Sequence, residues 1–190
     1  MTKAVVILLL ALLCVIPAGA SAADIAAPLA RATAAAKAGD HAATIAALEA
    51  ALEAVRQEAP LALEPFLLVS RKAALFGDIE PREDTTFKGS EELLFYMEPK
   101  NLVYGRGAGG TFEPGFAVDL EVIDAEGDVV ASKENFGSFT FTSKSRLQDV
   151  FLNLTTQLNG APPGDYTIRF TVRDLHSKKT AQVEQQVTME

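Results

Sequence analysis

Few residues in this chain could perform nucleophilic or acid–base chemistry. The two histidines are His41 and His176, and only His176 has both a carboxylate and a hydroxyl close in sequence, at Asp174 and Ser177. A Ser-His-Asp site requires an imidazole held between the other two groups, and closeness in sequence does not supply that geometry. A polar hairpin loop accounts for the segment RDLHSKK, so we reject a triad and predict no catalytic residue.

A metal site has little support in the sequence. Two separated histidines and the single cysteine, Cys14, lack the ligand spacing of a structural zinc site. The most acidic segment, DAEGD at residues 124–128, lacks the further regularly spaced ligands of a calcium loop. An Asp-x-x-Gly turn between two strands explains it, so we predict no metal and no cofactor.

Paired carboxylates leave one enzymatic alternative open. The chain has 25 acidic residues, and many pairs could form once it folds, but the sequence selects none of them. A cofactor-free envelope hydrolase is therefore the alternative function. Two facing carboxylates with raised pKa values in a deep pocket would identify it.

A glycine-rich stretch at residues 104–112 is the candidate binding loop. It lacks the lysine and the following helix with which a phosphate loop holds an anion. The stretch is therefore either a flexible connection, which we favour, or a mobile recognition loop that binds through Tyr104, Arg106 and Phe112.

The first 22 residues have the three parts of a secretory signal peptide. Lys3 precedes an apolar run from Ala4 to Ile16, and small residues at Ala20 and Ala22 place the cleavage after Ala22. A helix of this apolar run reaches about 20 Å, short of the ~30 Å hydrocarbon core, so a membrane anchor is disfavoured. Lipid attachment at Cys14 is also disfavoured because leucines precede it. We predict export to the bacterial periplasm, with no membrane span after cleavage.

Net charge and cysteine content limit the classes of partner that the protein can bind. The formal net charge is −8, and loss of Lys3 with the leader makes it more negative. Nucleic acid requires clustered lysine and arginine, so it is a poor partner. Loss of Cys14 leaves no disulfide, and stability must come from the core. We predict a protein or a cell-envelope component as the partner.

An alanine-rich helical hairpin is predicted at residues 23–59. Ala38, Gly39 and Asp40 supply a helix stop and a new N-cap. The second helix carries an apolar stripe that could face a partner or the rest of the fold; we expect it to be buried against the β domain or a second protomer. The stripe consists of Ile45, Leu48, Leu52 and Val55.

The rest of the chain predicts a β domain at residues 66–190, after a linker at 60–65. Phe66–Phe76 could be a helix or a strand, and we choose strand. The other predicted strands have β-rich composition or alternate apolar with polar residues between turn signals. They are Glu91–Met97, Phe116–Ile123, Val129–Glu134, Phe136–Thr142, Val150–Leu158, Tyr166–Arg173 and Ala181–Met189.

Two stretches of the β region carry a resemblance. PPGDYTIRFTVRD, residues 162–174, followed by TAQVEQQVTM, resembles the last two strands of immunoglobulin-like and fibronectin type III-like sandwiches. IEPREDTTFKGSEELLFYMEPKNL, residues 79–102, is similar to a segment of uncharacterised exported bacterial proteins. The resemblance implies an immunoglobulin-like antiparallel β-sandwich, with the Tyr166 hydroxyl bonded to backbone at a corner, and it implies no activity.

The helical hairpin has a resemblance of its own. AGDHAATIAALEAALEAVRQEAP, residues 38–60, resembles one tetratricopeptide-like unit without that family's aromatic positions. A single unit builds no solenoid groove. Taken together, the sequence predicts a non-enzymatic exported binding or assembly module: a small helical hairpin followed by a β-sandwich.

Overall fold

The computed structural model describes residues 22–190. The predicted leader lies outside the described residues except for Ala22, at which the first helix begins. The described chain is mainly β, with two helices before the strands, as predicted. These elements are α1 (Ala22–Lys37), α2 (His41–Glu58), β1 (Ala62–Leu68), β2 (Thr86–Phe87), β3 (Leu93–Lys100), β4 (Tyr104–Arg106), β5 (Phe112–Asp124), β6 (Val129–Thr140), β7 (Leu152–Thr156), β8 (Gly164–Asp174) and β9 (Thr180–Met189).

The turn between the two helices forms as the sequence predicts. Gly39 adopts a φ of 73°, which favours glycine. Asp40 then caps α2, because its Oδ1 accepts a hydrogen bond from the Ala43 N–H at 2.9 Å. The chain divides into two compact units at a boundary within α2, between Ala51 and Leu52.

The strands form two sheets. A three-stranded antiparallel sheet has the order β1-β3-β7, and a six-stranded sheet has the order β2-β9-β8-β5-β4, with β6 also paired to β5. The larger sheet is mixed because β2 runs parallel to β9. β4 pairs with the first residues of β5, and β6 pairs with Gly115–Ile123 of that strand.

Both sheets contribute to one hydrophobic core. The Phe170 ring of β8 lies 5.1 Å from the ring of Phe95 in β3 and 6.1 Å from that of Phe66 in β1, so aromatic contacts join the sheets. Alternation in β8 buries Tyr166, Ile168, Phe170 and Val172, as the sequence predicts.

The start of the β region differs from the prediction. β1 begins at Ala62, inside the stretch predicted as a linker, and ends at Leu68. The prediction of a strand over Phe66–Phe76 is therefore wrong for most of its length. Pro65 misleads because proline usually ends a regular element, but here it lies at a register shift in an edge strand, where the sheet tolerates it.

A single strand replaces two of the predicted strands. Val129–Glu134 and Phe136–Thr142 are joined in β6, which has a register shift and an Asn135 with a φ of 49° where a break is predicted. Asparagine is among the few residues that adopt this left-handed conformation readily. The short strands β2 and β4 have no counterpart in the prediction, since two or three residues carry no periodicity.

Candidate functional site

The predicted recognition loop is a structured hairpin. Residues 104–112 form β4, a turn and the first residue of β5, and the Gly107 N–H donates to the Thr111 carbonyl across the turn. The Phe112 ring is covered by the guanidinium of Arg106, 4.1 Å from its centroid, and Phe112 packs edge-on against Tyr104. The three residues predicted as contacts therefore contact one another.

Tyr104 is also bonded within the fold. Its hydroxyl donates to the backbone carbonyl of Leu147, and the Arg146 guanidinium lies 4.9 Å from its ring centroid. Arg146 Nη1 lies 2.6 Å from Glu53 Oε1 in an ion pair whose geometry is not that of an aligned hydrogen bond. Burial raises the pKa of the Tyr104 phenol. These contacts fix the position of the Tyr104 ring, and its role in binding stays a prediction.

The apolar stripe of α2 stays at the surface. Within residues 22–190, Ile45, Leu48, Leu52 and Val55 are 43–57% exposed, and burial of the stripe against the β region or a second protomer stays a prediction. Alanines are buried in its place, at Ala47 and Ala51. Small side chains allow close packing, and the larger ones are left outside it.

Part of the stripe meets part of the predicted loop. Leu52, Val55 and Tyr104 line one recess of about 330 Å³, whose other walls include Pro99 and Val150. Arg106 and Phe112 do not line it. The sequence gives no sign that these two candidate sites adjoin, because they lie about fifty residues apart.

The residues considered for a catalytic triad have structural contacts instead. Asp174 is buried, and its two carboxylate oxygens accept the N–H groups of Val103 and His176, each at 2.7 Å. Its carboxylate therefore anchors a loop and does not orient an imidazole. The His176 ring rests against Gly105, where a Cβ would come within 2.4 Å of Cε1. His41 is the exposed first residue of α2.

The acidic segment at residues 124–128 is the predicted turn. Asp124 Oδ1 accepts the N–H groups of Glu126 at 3.1 Å and Asp128 at 2.8 Å, and Gly127 has a φ of 90°. Within residues 22–190, no group of three or more His, Cys, Asp or Glu side chains is arranged to hold a metal ion.

Two carboxyl groups illustrate how ion pairs act on acidity here. Hydrogen bonds from Arg71 lower the pKa of Asp78 to about 2. A hydrogen bond from Arg82 likewise lowers the pKa of Glu91. A carboxylic acid that donates a proton near neutrality needs a shift in the opposite direction, so neither group suits the hydrolase alternative.

A buried Tyr–Glu pair fixes the loop after β1. The Tyr96 hydroxyl donates to Glu98 Oε1 at 2.7 Å and accepts the Gly77 N–H at 3.0 Å. Burial is the main cause that raises the pKa of Tyr96 to about 12. Glu98 also pairs with Lys100. The phenol stays protonated at neutral pH and holds the loop.

A groove in the β region is a second candidate site, and the sequence does not reveal it. It has a volume of about 730 Å³ and lies between the β5–β6 hairpin and the loop from β7 to β8; we call it the β5–β6 groove. Its floor is apolar and buried, and its size is typical of a ligand-binding cleft. The floor residues are Leu120, Val122, Leu158 and Tyr166.

One wall of the β5–β6 groove is a strand with a free edge. Val130, Ala131, Ser132 and Lys133 of β6 line the groove. β6 pairs with β5 alone, and among residues 22–190 no strand pairs with its other edge. Val130 is 53% exposed. An unpaired edge presents backbone N–H and C=O groups that an added strand can bond.

The loop that closes the groove is held by the predicted tyrosine contact. The Tyr166 hydroxyl donates to the Pro162 carbonyl at 2.9 Å, which confirms the bond expected at this corner. Pro162, Pro163 and Asn159 belong to the same wall. Sequence reasoning identified the bond and missed the groove, since the groove depends on which strand lies at the sheet edge.

Comparisons with known proteins do not identify a family. No protein-family model and no curated protein matches the chain. It is similar to a Pseudomonas fluorescens alkylpurine DNA glycosylase bound to abasic-site DNA, at 9% identity and a TM-score of 0.37 over 80% of this chain and 39% of that one. It is also similar to a family 123 glycoside hydrolase from Clostridium perfringens, at 12% identity and a TM-score of 0.36 over 70% and 27%.

The chain thus spans well under half the length of either structure, and neither likeness bears on function.

None of the helices in residues 22–190 combines the length and apolar character needed to cross a bilayer.

Proposed function

We propose that the chain is an exported, non-enzymatic binding module whose β region is an immunoglobulin-like sandwich. The two sheets with one shared core and the Tyr166 bond to the Pro162 carbonyl support this fold type. The leader pattern of residues 1–22 supports export.

The partner in this proposal is an extended segment of another protein, bound in the β5–β6 groove. The observation that carries it is the position of a buried apolar floor directly beside the unpaired edge of β6. An added strand gains backbone hydrogen bonds from the edge, and alternate side chains reach the floor. Neither gain requires a catalytic group.

The test is a selection from a phage-displayed library of seven-residue peptides against the purified full chain. Ala131→Phe places a large side chain in the groove from an exposed position of β6. Gln186→Phe makes a similar surface change on β9, outside the groove, and is the matched control. We expect selected peptides to bind the parent protein and the Gln186 variant and to lose at least tenfold in affinity for the Ala131 variant.

A second readout places the bound peptide. Amide chemical-shift changes on titration should cluster at residues 129–133, 157–161 and 164–166. A library that yields no binder, or binders unaffected by Ala131→Phe, would refute the proposal.

A further inference from the structure

We infer that the β5–β6 groove selects extended segments with a basic residue at one end, held over the turn between β5 and β6. This inference rests on the function proposed above and adds the chemistry of the partner. Three of the charged residues lining the groove are acidic: Asp124, Glu126 and Asp165. The fourth, Lys133, is basic.

The charges lie at opposite ends of the groove. Lys133 pairs with Leu120 in β5, four residues before Asp124. At about 3.3 Å per residue, this separation is roughly 13 Å along the strand. Asp165 lies at the acidic end, because its neighbour Tyr166 pairs with Asp124. A bound segment therefore meets negative charge at one end and positive charge at the other.

The acidic side chains near the groove differ in whether they already make hydrogen bonds within the fold. Asp124 holds the turn, and Asp165 Oδ1 accepts the Thr188 hydroxyl at 2.7 Å. Glu126 and Asp128 are exposed, and neither side chain makes a hydrogen bond or ion pair within residues 22–190. Their charge is available to a ligand.

Two features thus define the partner segment. Apolar residues at every second position suit the floor of Leu120, Val122 and Leu158, because side chains alternate along a strand. A lysine or arginine at the end nearest the turn suits Glu126 and Asp128, and Lys133 repels the same charge at the far end. The charge pattern therefore also sets the direction in which the segment lies.

The experiment uses four synthetic peptides with blocked termini: KVTVTVT, EVTVTVT and the reversed sequence of each. Affinities for the full chain are measured by titration calorimetry at low salt and near physiological salt. One lysine peptide should bind about three- to tenfold more tightly than either glutamate peptide at low salt, and added salt should reduce that ratio because exposed charges are screened.

Charge-neutralising variants test which groups cause the preference. The double variant Glu126→Gln, Asp128→Asn should bring the lysine-to-glutamate ratio close to one. The control is Glu83→Gln, Glu92→Gln, which removes the same charge from two exposed residues outside the groove. It should leave the ratio largely unchanged.

Equal affinities for the lysine and glutamate peptides, or an equal loss of preference in both double variants, would overturn the inference and leave the binding function intact. Binding of none of the four peptides would also overturn it. The library selection with Ala131→Phe then decides separately whether the groove binds peptides at all.

Discussion

The helices and the β region bury different kinds of side chain. In the helices, Ala32, Ala47 and Ala51 are buried, while five larger side chains are 43–57% exposed: Leu29, Ile45, Leu48, Leu52 and Val55. In the sheets, Phe95, Phe116 and Phe170 are fully buried. Each buried phenylalanine removes far more apolar area from water than an alanine does.

Apolar residues therefore stabilise the two regions in different ways: by a large buried area in the sheets and by close packing in the helices. Hydrophobic stabilisation scales with the area buried, so the β region carries the larger core. Alanine contacts contribute little area, but they allow close packing that tolerates no extra volume. The helices should therefore respond more to added bulk than to loss of their large side chains, and the sheets should respond in the opposite way.

The largest effect should follow truncation of Phe170. Its ring contacts those of Phe95, Phe66 and Phe136, and Phe170→Ala should lower the free energy of unfolding by about 3–5 kcal/mol. Urea unfolding followed by circular dichroism measures the loss. Phe170→Leu, which retains most of the volume, should lose clearly less. Equal losses would show that the aromatic contacts, rather than the buried apolar area, carry the stabilisation at Phe170.

Adding bulk to the helices should have the next largest effect. Ala47 is buried and Ala46 is exposed. Ala47→Leu should destabilise the protein by about 1–3 kcal/mol through overpacking, whereas Ala46→Leu should change stability little. The thermal melts of the two variants give the comparison. A stable Ala47 variant would mean that the alanine contacts are loose.

A smaller loss should follow removal of the Tyr166 hydroxyl. Tyr166→Phe deletes the bond to the Pro162 carbonyl and should cost about 1 kcal/mol. Because Pro162 lines the groove, the variant should also broaden the amide signals of Asn159, Gly160, Ala161 and Gly164. An unchanged melt together with unchanged signals would argue against the corner as a support of the groove wall.

The smallest effect should come from the exposed stripe. Leu48 is 49% exposed, so Leu48→Ser should change the stability of the monomer by roughly 0.5 kcal/mol. Analytical ultracentrifugation tests the same variant for a change in association state. A large drop in melting temperature would contradict the exposure of Leu48, and if an oligomer also dissociates, a second protomer covers the stripe.

The predictions from sequence succeeded where periodicity was long. Three features depend only on residues that are neighbours in the sequence: the alternation of β8, the capped turn before α2 and the Asp124 turn. The pattern of residue types therefore predicts each of them. The order of the strands in a sheet is not determined by residues that are neighbours in the sequence. β8 pairs with β5, and β7 pairs with β3, through contacts between distant segments, and no local signal encodes that arrangement.

The candidate sites show the same limit. The residue types of Tyr104, Arg106 and Phe112 single them out in the sequence, but only the structure shows that they pack against one another. The groove depends on Ala131 and Lys133 of β6 lying beside Leu158 from another segment. Small or charged residues in a strand do not indicate a binding site until the strand is known to lie at the edge of a sheet.

The irregular course of β6 has a consequence for behaviour at high concentration. A long, straight free edge allows copies of a protein to stack edge to edge into fibres. β6 has two register shifts, one of which contains the left-handed Asn135, and it carries the charged residues Lys133 and Glu134. Another copy cannot follow all twelve residues in one register. The edge can thus accept a short segment and still resist growth into aggregates.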